Sequence, residues 1–250
     1  MESVRFLKVR FDLIDLETAC DLIAGRAREM APFSYVATPN AQCIVRFNGG
    51  KAPAADAAWN DAWLSTNDSG PAELLARVLF GLELGRVTGA DLTAALLARR
   101  IPATTPITIL GGTEEMERRL RERYGLTTIR RMDPAMGLLN NPAEIERSAR
   151  FIIDNPAPYI FLVVGTPQAE IVAQRVVQLG GGKGVGLCVG SSLNFLTGLA
   201  GRAPEWSRKL GLEWLYRLAA SPRTHARRVF VQSAPLIWYA LRARLRGQPT

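Results

Sequence analysis

Short apolar runs alternate with amphipathic stretches along most of the chain. Residues 4–13 read as a strand, with Phe6 and Val9 set among charges, and residues 16–30 as a helix introduced by acids, with Thr18 a candidate cap. Tyr35, Val36 and Ala37 form a short apolar strand that ends in Thr38-Pro39-Asn40, and residues 41–47 read as helix. Residues 48–56, with Gly49, Gly50 and Pro53, read as a connection before a short strand at 63–66. Pro71 suits the first turn of a helix running to about Phe80. Further helices are expected over 92–100, 114–124 and 142–154, another is fed by the glycine turn at Gly165 and runs to Leu179, and Pro235 is expected to kink or divide a last helix. Strands are expected over 107–110, 126–130, 159–164 and 183–189. This alternation predicts an α/β fold: a Rossmann-like, mostly parallel sheet with helices on both faces.

Chemistry-bearing residues cluster where the strands end. Ligands on such sheets bind at the carboxyl edge, and Thr38 with Asn40, Asp68, Gly111-Gly112 and Gly165-Thr166-Pro167 with Glu170 all fall there. The two glycine turns lead from strand to helix and can present backbone N–H groups to a pyrophosphate. Two residues have a simpler alternative role. Asn40 and Asp68 each stand just ahead of a helix, where either can serve as an N-cap. In the other reading Asp68 is a general base, although a helix dipole would weaken it. The helix at 114–124 carries four Arg and four Glu, the pattern of a solvated face with salt-bridge spacing.

Charge is distributed unevenly. Residues 201–250 hold ten Lys or Arg against Glu205 and Glu213, whereas residues 1–200 hold 21 bases and 21 acids. A neutral body therefore carries a basic, aromatic-rich tail aimed at phosphate groups. Trp206, Trp214, Tyr216, Trp238 and Tyr239 alternate there with arginine, as in a segment lying at a bilayer interface; packing onto the core is the alternative. The expected division is thus a core over 1–200 and a helical appendage over 201–250. Cys20, Cys43 and Cys188 form no CxxC pair and read as buried thiols. His225 is the one histidine, which argues against a Ser-His-Asp site and excludes a His-rich metal centre. No D-x-D pair occurs for a nucleotide-bound metal, so neither metal nor cofactor is expected. No apolar run approaches the ~20 residues of a membrane span, so a cytoplasmic protein is expected.

Seven blocks carry a resemblance: Thr38-Pro39-Asn40, Asp68 with Gly70, Arg86 to Leu92 (RVTGADL), Ile109 to Gly112 (ILGG), Gly165-Thr166-Pro167 with Glu170, Gly201-Arg202-Ala203-Pro204, and Gly211 to Leu218 (GLEWLYRL). In order and spacing they resemble the WecG/TagA/CpsF glycosyltransferases, glycosyltransferase family 26. The resemblance implies a Rossmann-like core with a C-terminal helical appendage (GT-E type). It implies an inverting, metal-independent transfer from a UDP-sugar to a polyprenyl-diphosphate-linked acceptor in bacterial surface polysaccharide or cell-wall synthesis. By position, Asp68 matches the proposed base, Thr38 and Asn40 the sugar and acceptor pocket, and Arg86 the nucleotide's surroundings. Arg217, Arg223, Arg227 and Arg228 match the appendage's basic cluster, which with Gly111, Gly112 and Gly165 would face the leaving diphosphate. The implied location is the inner face of the cell membrane, against anionic lipid, with a homo-oligomer left open. Two departures stand out: Ala169 replaces the usual Gln before Glu170, and Asn194 stands in Leu-Asn-Phe where Phe-Asp-Phe is usual.

Other classes make different predictions. A nucleic-acid binder would use the same basic tail, but no recognised motif accompanies the charge, and no nucleic-acid partner is expected. A dinucleotide oxidoreductase lacks its GxGxxG. A non-catalytic membrane scaffold remains the alternative that the departures at Ala169 and Asn194 suggest.

Overall fold

The computed structural model describes residues 1–50, 53–201, 204, 216 and 234–247. The chain opens with an antiparallel hairpin, β1 (Ser3–Phe6) and β2 (Val9–Asp12). Six further strands form one sheet: β3 (Ser34–Ala37), β4 (Leu64–Ser65), β5 (Ile107–Leu110), β6 (Ile129–Met132), β7 (Tyr159–Leu162) and β8 (Val185–Cys188). Their order is β4-β3-β8-β7-β5-β6, every pair parallel. The Rossmann-like expectation is met.

Helices cover both faces: α1 (Leu16–Arg28), α2 (Ala41–Asn48), α3 (Pro53–Asn60), α4 (Gly70–Phe80), α5 (Gly89–Arg99), α6 (Glu114–Tyr124), α7 (Pro142–Asp154), α8 (Gln168–Leu179), α9 (Ser192–Leu196) and α10 (Pro235–Leu245). Successive strand residues point to opposite faces, so two cores result. Tyr35, Ala37, Ile160 and Leu162 join α2, α3, α4, α7, α8 and α10 in one. Val36, Tyr159, Phe161 and Leu187 join α1, α5, α6 and α9 in the other. Because both faces are covered, β3, β5, β7 and β8 are buried at every position, and their sequences read as continuous runs rather than alternating ones. Pro235 begins α10, whose buried Leu236, Ala240 and Ala243 pack it onto α2 and α4.

Several local expectations are corrected. Residues 4–13 form two strands, because Leu7 and Lys8 turn the chain with φ of 48° and 69°. Such two-residue turns usually take Asn-Gly; here Leu7 is buried and its carbonyl accepts from Asn48 Nδ2 at 2.7 Å, which holds the turn. Asp15, not Thr18, caps α1, accepting from the Thr18 N–H and hydroxyl. Within 48–56 the helix α3 begins at Pro53, driven by an alanine-rich face that buries Ala55, Ala58 and Trp59. Strand β6 starts at Ile129, three residues later than the pattern suggested. The three cysteines are buried free thiols, as expected.

Candidate active site

The loops after β3, β4 and β8 meet at the carboxyl edge of the sheet. Thr66 N–H donates to Ala37 O at 3.0 Å and Asp68 N–H donates to Pro39 O at 3.1 Å, so the Asp68 loop extends the β3–β4 pairing past the strands. Thr38, buried, donates its hydroxyl to Cys188 O at 3.1 Å, tying the same place to β8. The first turn of α5 presses in from the other face: a Cβ on Gly89 would lie 3.0 Å from Thr38 Oγ1 and 3.5 Å from Ser192 Oγ. Thr38, Asn40 and Asp68, expected to work together, are therefore on adjoining loops.

The role of Asp68 as cap is overturned, because Ser69 takes that position. The Ser69 hydroxyl accepts from Ala72 N–H, and its own N–H donates to Asn67 Oδ1 at 2.9 Å. Asn67 and Ser69 both spend their side chains on shaping the loop, and the half-buried Asp68 between them is not the helix cap. The same loop anchors Arg86. Thr66 Oγ1 donates to Val87 O and Asn67 Nδ2 to Gly85 O, both at 2.9 Å, so the carbonyls on either side of Arg86 are bound to the residues just before Asp68. Arg86 Nε lies 3.8 Å from Glu73 Oε2 on α4.

Asn40 does cap its helix: Oδ1 accepts from Gln42 N–H at 3.0 Å and Cys43 N–H at 3.3 Å. One turn later Cys43 contacts Thr166, its Sγ 3.5 Å from the hydroxyl, which joins the loop after β7 to the cluster. The Thr166-Pro167 bond is cis and Gly165 has φ 71°. Glu170 lies beneath this loop at 2% exposure, too buried to face a substrate, and accepts from Thr166 Oγ1 at 3.1 Å. Burial pushes its carboxyl up to about 7. Cys43 and Trp59 had no signal in the sequence beyond apolar periodicity. Only the packing of α3 on α8, and the contact of Cys43 with Thr166 in the loop before α8, bring them toward Glu170.

The first glycine turn lies farther along the edge. β5 is three strands from β3, about 14 Å at the usual ~4.8 Å spacing, so a ligand touching both ends must be elongated. Close packing accounts for the glycines: a Cβ on Gly111 would meet Val164 Cγ1 at 2.8 Å, and one on Gly112 would meet Met116 Cε at 2.2 Å. Asn194 sits on α9, half-buried, its carbonyl accepting from Leu199 and Ala200 N–H. Arg217, Arg223, Arg227 and Arg228 lie outside the described residues, as do Trp206 and Trp214. Among the described residues, no three His, Cys, Asp or Glu side chains gather as they would around a metal ion.

A parallel α/β sheet hosts many chemistries, and the fold alone does not name the reaction. The family model for the Glycosyl transferase WecG/TagA/CpsF family matches residues 4–250. The chain belongs to that family. It is a glycosyltransferase of cell-wall or surface-polymer synthesis, working between a sugar donor and a lipid-linked acceptor. In this WecG/TagA/CpsF protein the matched region includes both the sheet and α10, and no helix among the described residues is long and apolar enough to cross a membrane.

Proposed function

We propose that this glycosyltransferase moves a sugar from a UDP-sugar to a polyprenyl-diphosphate-linked acceptor, with inversion and without a metal ion. Asp68 removes the proton of the acceptor hydroxyl as that oxygen attacks the anomeric carbon. Thr38 and Asn40 line the pocket beside it, and Arg86 lies toward the nucleotide. The observation that carries the reading is the Asp68 loop. Ser69 supplies the cap, the backbone of Asp68 is bonded to Pro39, and the carboxylate stands on the loop next to Thr38 and Asn40. A base must be held within reach of one hydroxyl, and a loop bonded on both sides does that.

The leaving diphosphate needs positive charge or N–H groups. Gly111, Gly112 and Gly165, at the ends of β5 and β7, and Arg217, Arg223, Arg227 and Arg228 of the basic segment fill that role. Residues 1–200 are the catalytic core and 201–250 the appendage that completes it. The appendage also holds the protein to an anionic membrane. In α10, Ile237 and Trp238 are each 54% exposed and Leu241 47%, with the Arg242 guanidinium 4.9 Å from the Trp238 ring. Leu74 and Val78 on the adjoining α4 are exposed as well. Apolar side chains facing outward between arginines suit a lipid headgroup layer.

Calorimetric titration of the full-length protein with UDP in EDTA, with NAD as control, tests this reading. Saturable binding of UDP but not NAD is expected. A folded protein that ignores UDP would return the scaffold alternative.

A further inference from the structure

Glu170 has one satisfied oxygen and one orphan. Oε1 accepts from Thr166 Oγ1 at 3.1 Å, while Oε2 is buried without a partner. The indole N–H of Trp59 on α3 lies near enough to favour the ionised carboxyl, yet it too closes no hydrogen bond. From Thr166 the contacts continue. Its hydroxyl is 3.5 Å from Cys43 Sγ, and that thiol is 3.5 Å from Asn40 Oδ1, to which it can donate. A buried carboxyl below the β7 loop is thus joined through two side chains to the cap residue of the β3 loop.

We infer that Glu170 is a positioning residue, which through Thr166 and Cys43 sets how many hydrogen bonds hold the Asn40 amide at the edge of the candidate pocket. For a given charge on Glu170, each side chain in this series has a fixed number of protons to donate. An ionised Glu170 can only accept, so the Thr166 hydroxyl points at it and leaves its oxygen to receive the Cys43 S–H. Asn40 Oδ1 then keeps two donors, the N–H groups of Gln42 and Cys43. A protonated Glu170 donates to the Thr166 oxygen instead. The Thr166 proton turns to Cys43 Sγ, and the thiol proton turns to Asn40 Oδ1 as a third donor. With its oxygen held more tightly, the Asn40 NH2 group is fixed in direction.

Of the buried groups Glu170, Cys43, Cys188 and Tyr35, Glu170 is the one held near neutrality. Burial raises it to about 7, and Arg46 on α2 pulls the other way. Burial also pushes Cys43 up to about 12, with the Glu170 and Asp68 carboxylates adding to it, and pushes Cys188 on β8 and Tyr35 on β3 well above neutrality. Neither thiol nor phenol ionises across the range in which Glu170 does.

The inference rests on the proposed function only in calling Asn40 a pocket residue, and its test does not depend on activity. The full-length protein, labelled with 15N-asparagine, is titrated from about pH 5 to 9 while the Asn40 side-chain amide is followed, assigned by its loss in Asn40→Asp. The resonance should shift with one midpoint near neutrality in the wild type. It should be flat in Glu170→Gln and Cys43→Ala and restored in Cys43→Ser; Thr166→Val, close in size, makes the same cut if Cys43→Ala does not fold. An unresponsive Asn40 amide, or a midpoint that survives Glu170→Gln or the cut at Cys43 or Thr166, overturns the relay. UDP titration of the same samples separates the two claims. A relay without UDP binding removes the functional reading alone, and UDP binding without the relay removes the inference alone.

Discussion

Glu170 illustrates how burial changes what a residue does. By position it belongs to the first turn of α8, where an acid ordinarily sits in solvent and favours the helix dipole. Here it is buried among Trp59, Thr166 and Cys43, and its carboxyl rises to about 7. The sign of the consequence is fixed by linkage. A carboxyl whose folded pKa lies above its unfolded value adds stability that is fully present below the unfolded value and is lost as pH rises through 7. The wild type should therefore lose about 2–3 kcal/mol between pH 5 and 8 from this group, at ~1.4 kcal/mol per unit. Glu170→Gln should abolish that loss, and thermal melts of the two proteins across the range check it. An unchanged difference in Tm from pH 5 to 8 would refute the assignment. Thr38, Asn40 and Asp68 were legible in the sequence because strand ends and helix starts announce themselves. The burial of Glu170 was not, since it depends on which helices flank α8.

Helix caps show the same limit one level up. Asp68 and Ser69 are both good caps by type, and the sequence does not choose between them. In the fold Ser69 faces Ala72 N–H, and Thr88 caps α5 with the carboxylate of Asp91 accepting from its hydroxyl in return. Ser69→Ala should thus cost about 1 kcal/mol, or roughly 2–4 °C in Tm for a chain of this size, whereas Asp68→Ala should leave the cap intact. Equal losses in the two variants would put the aspartate back in the capping role. Long periodic elements were legible: α6 and α7 fall at the expected residues, and the Arg and Glu of α6 pair along its face, as in Arg121 with Glu117 at 2.8 Å. Short elements escaped. The Leu7-Lys8 turn has no glycine or asparagine to mark it, and the start of α3 is hidden because Gly49, Gly50 and Pro53 punctuate the stretch as a connection.

For the whole molecule, the strand sequence implied a parallel sheet, but the order β4-β3-β8-β7-β5-β6 is set by packing between distant segments. That order places β8 beside β3 and so brings Cys188 to Thr38. The outward side chains of α10 belong to this scale too. If they meet lipid, binding to vesicles rich in anionic lipid should fall with added salt, and Trp238→Ser should weaken it about tenfold, the worth of one buried large side chain. Co-sedimentation measures both. Binding indifferent to salt and to Trp238 would place membrane contact elsewhere.

We propose Asp68 as the base of a sugar transfer carried out at the carboxyl edge of this sheet. The most direct measurement is UDP release from a panel of UDP-sugars in the presence of a vesicle-borne polyprenyl-diphosphate-linked acceptor, comparing the wild type with Asp68→Asn. Loss of the base should lower turnover by about 10²- to 10⁴-fold, with UDP binding and Tm retained because Ser69 still caps α4. An Asp68→Asn protein that turns over at the wild-type rate would rule out Asp68 as the base.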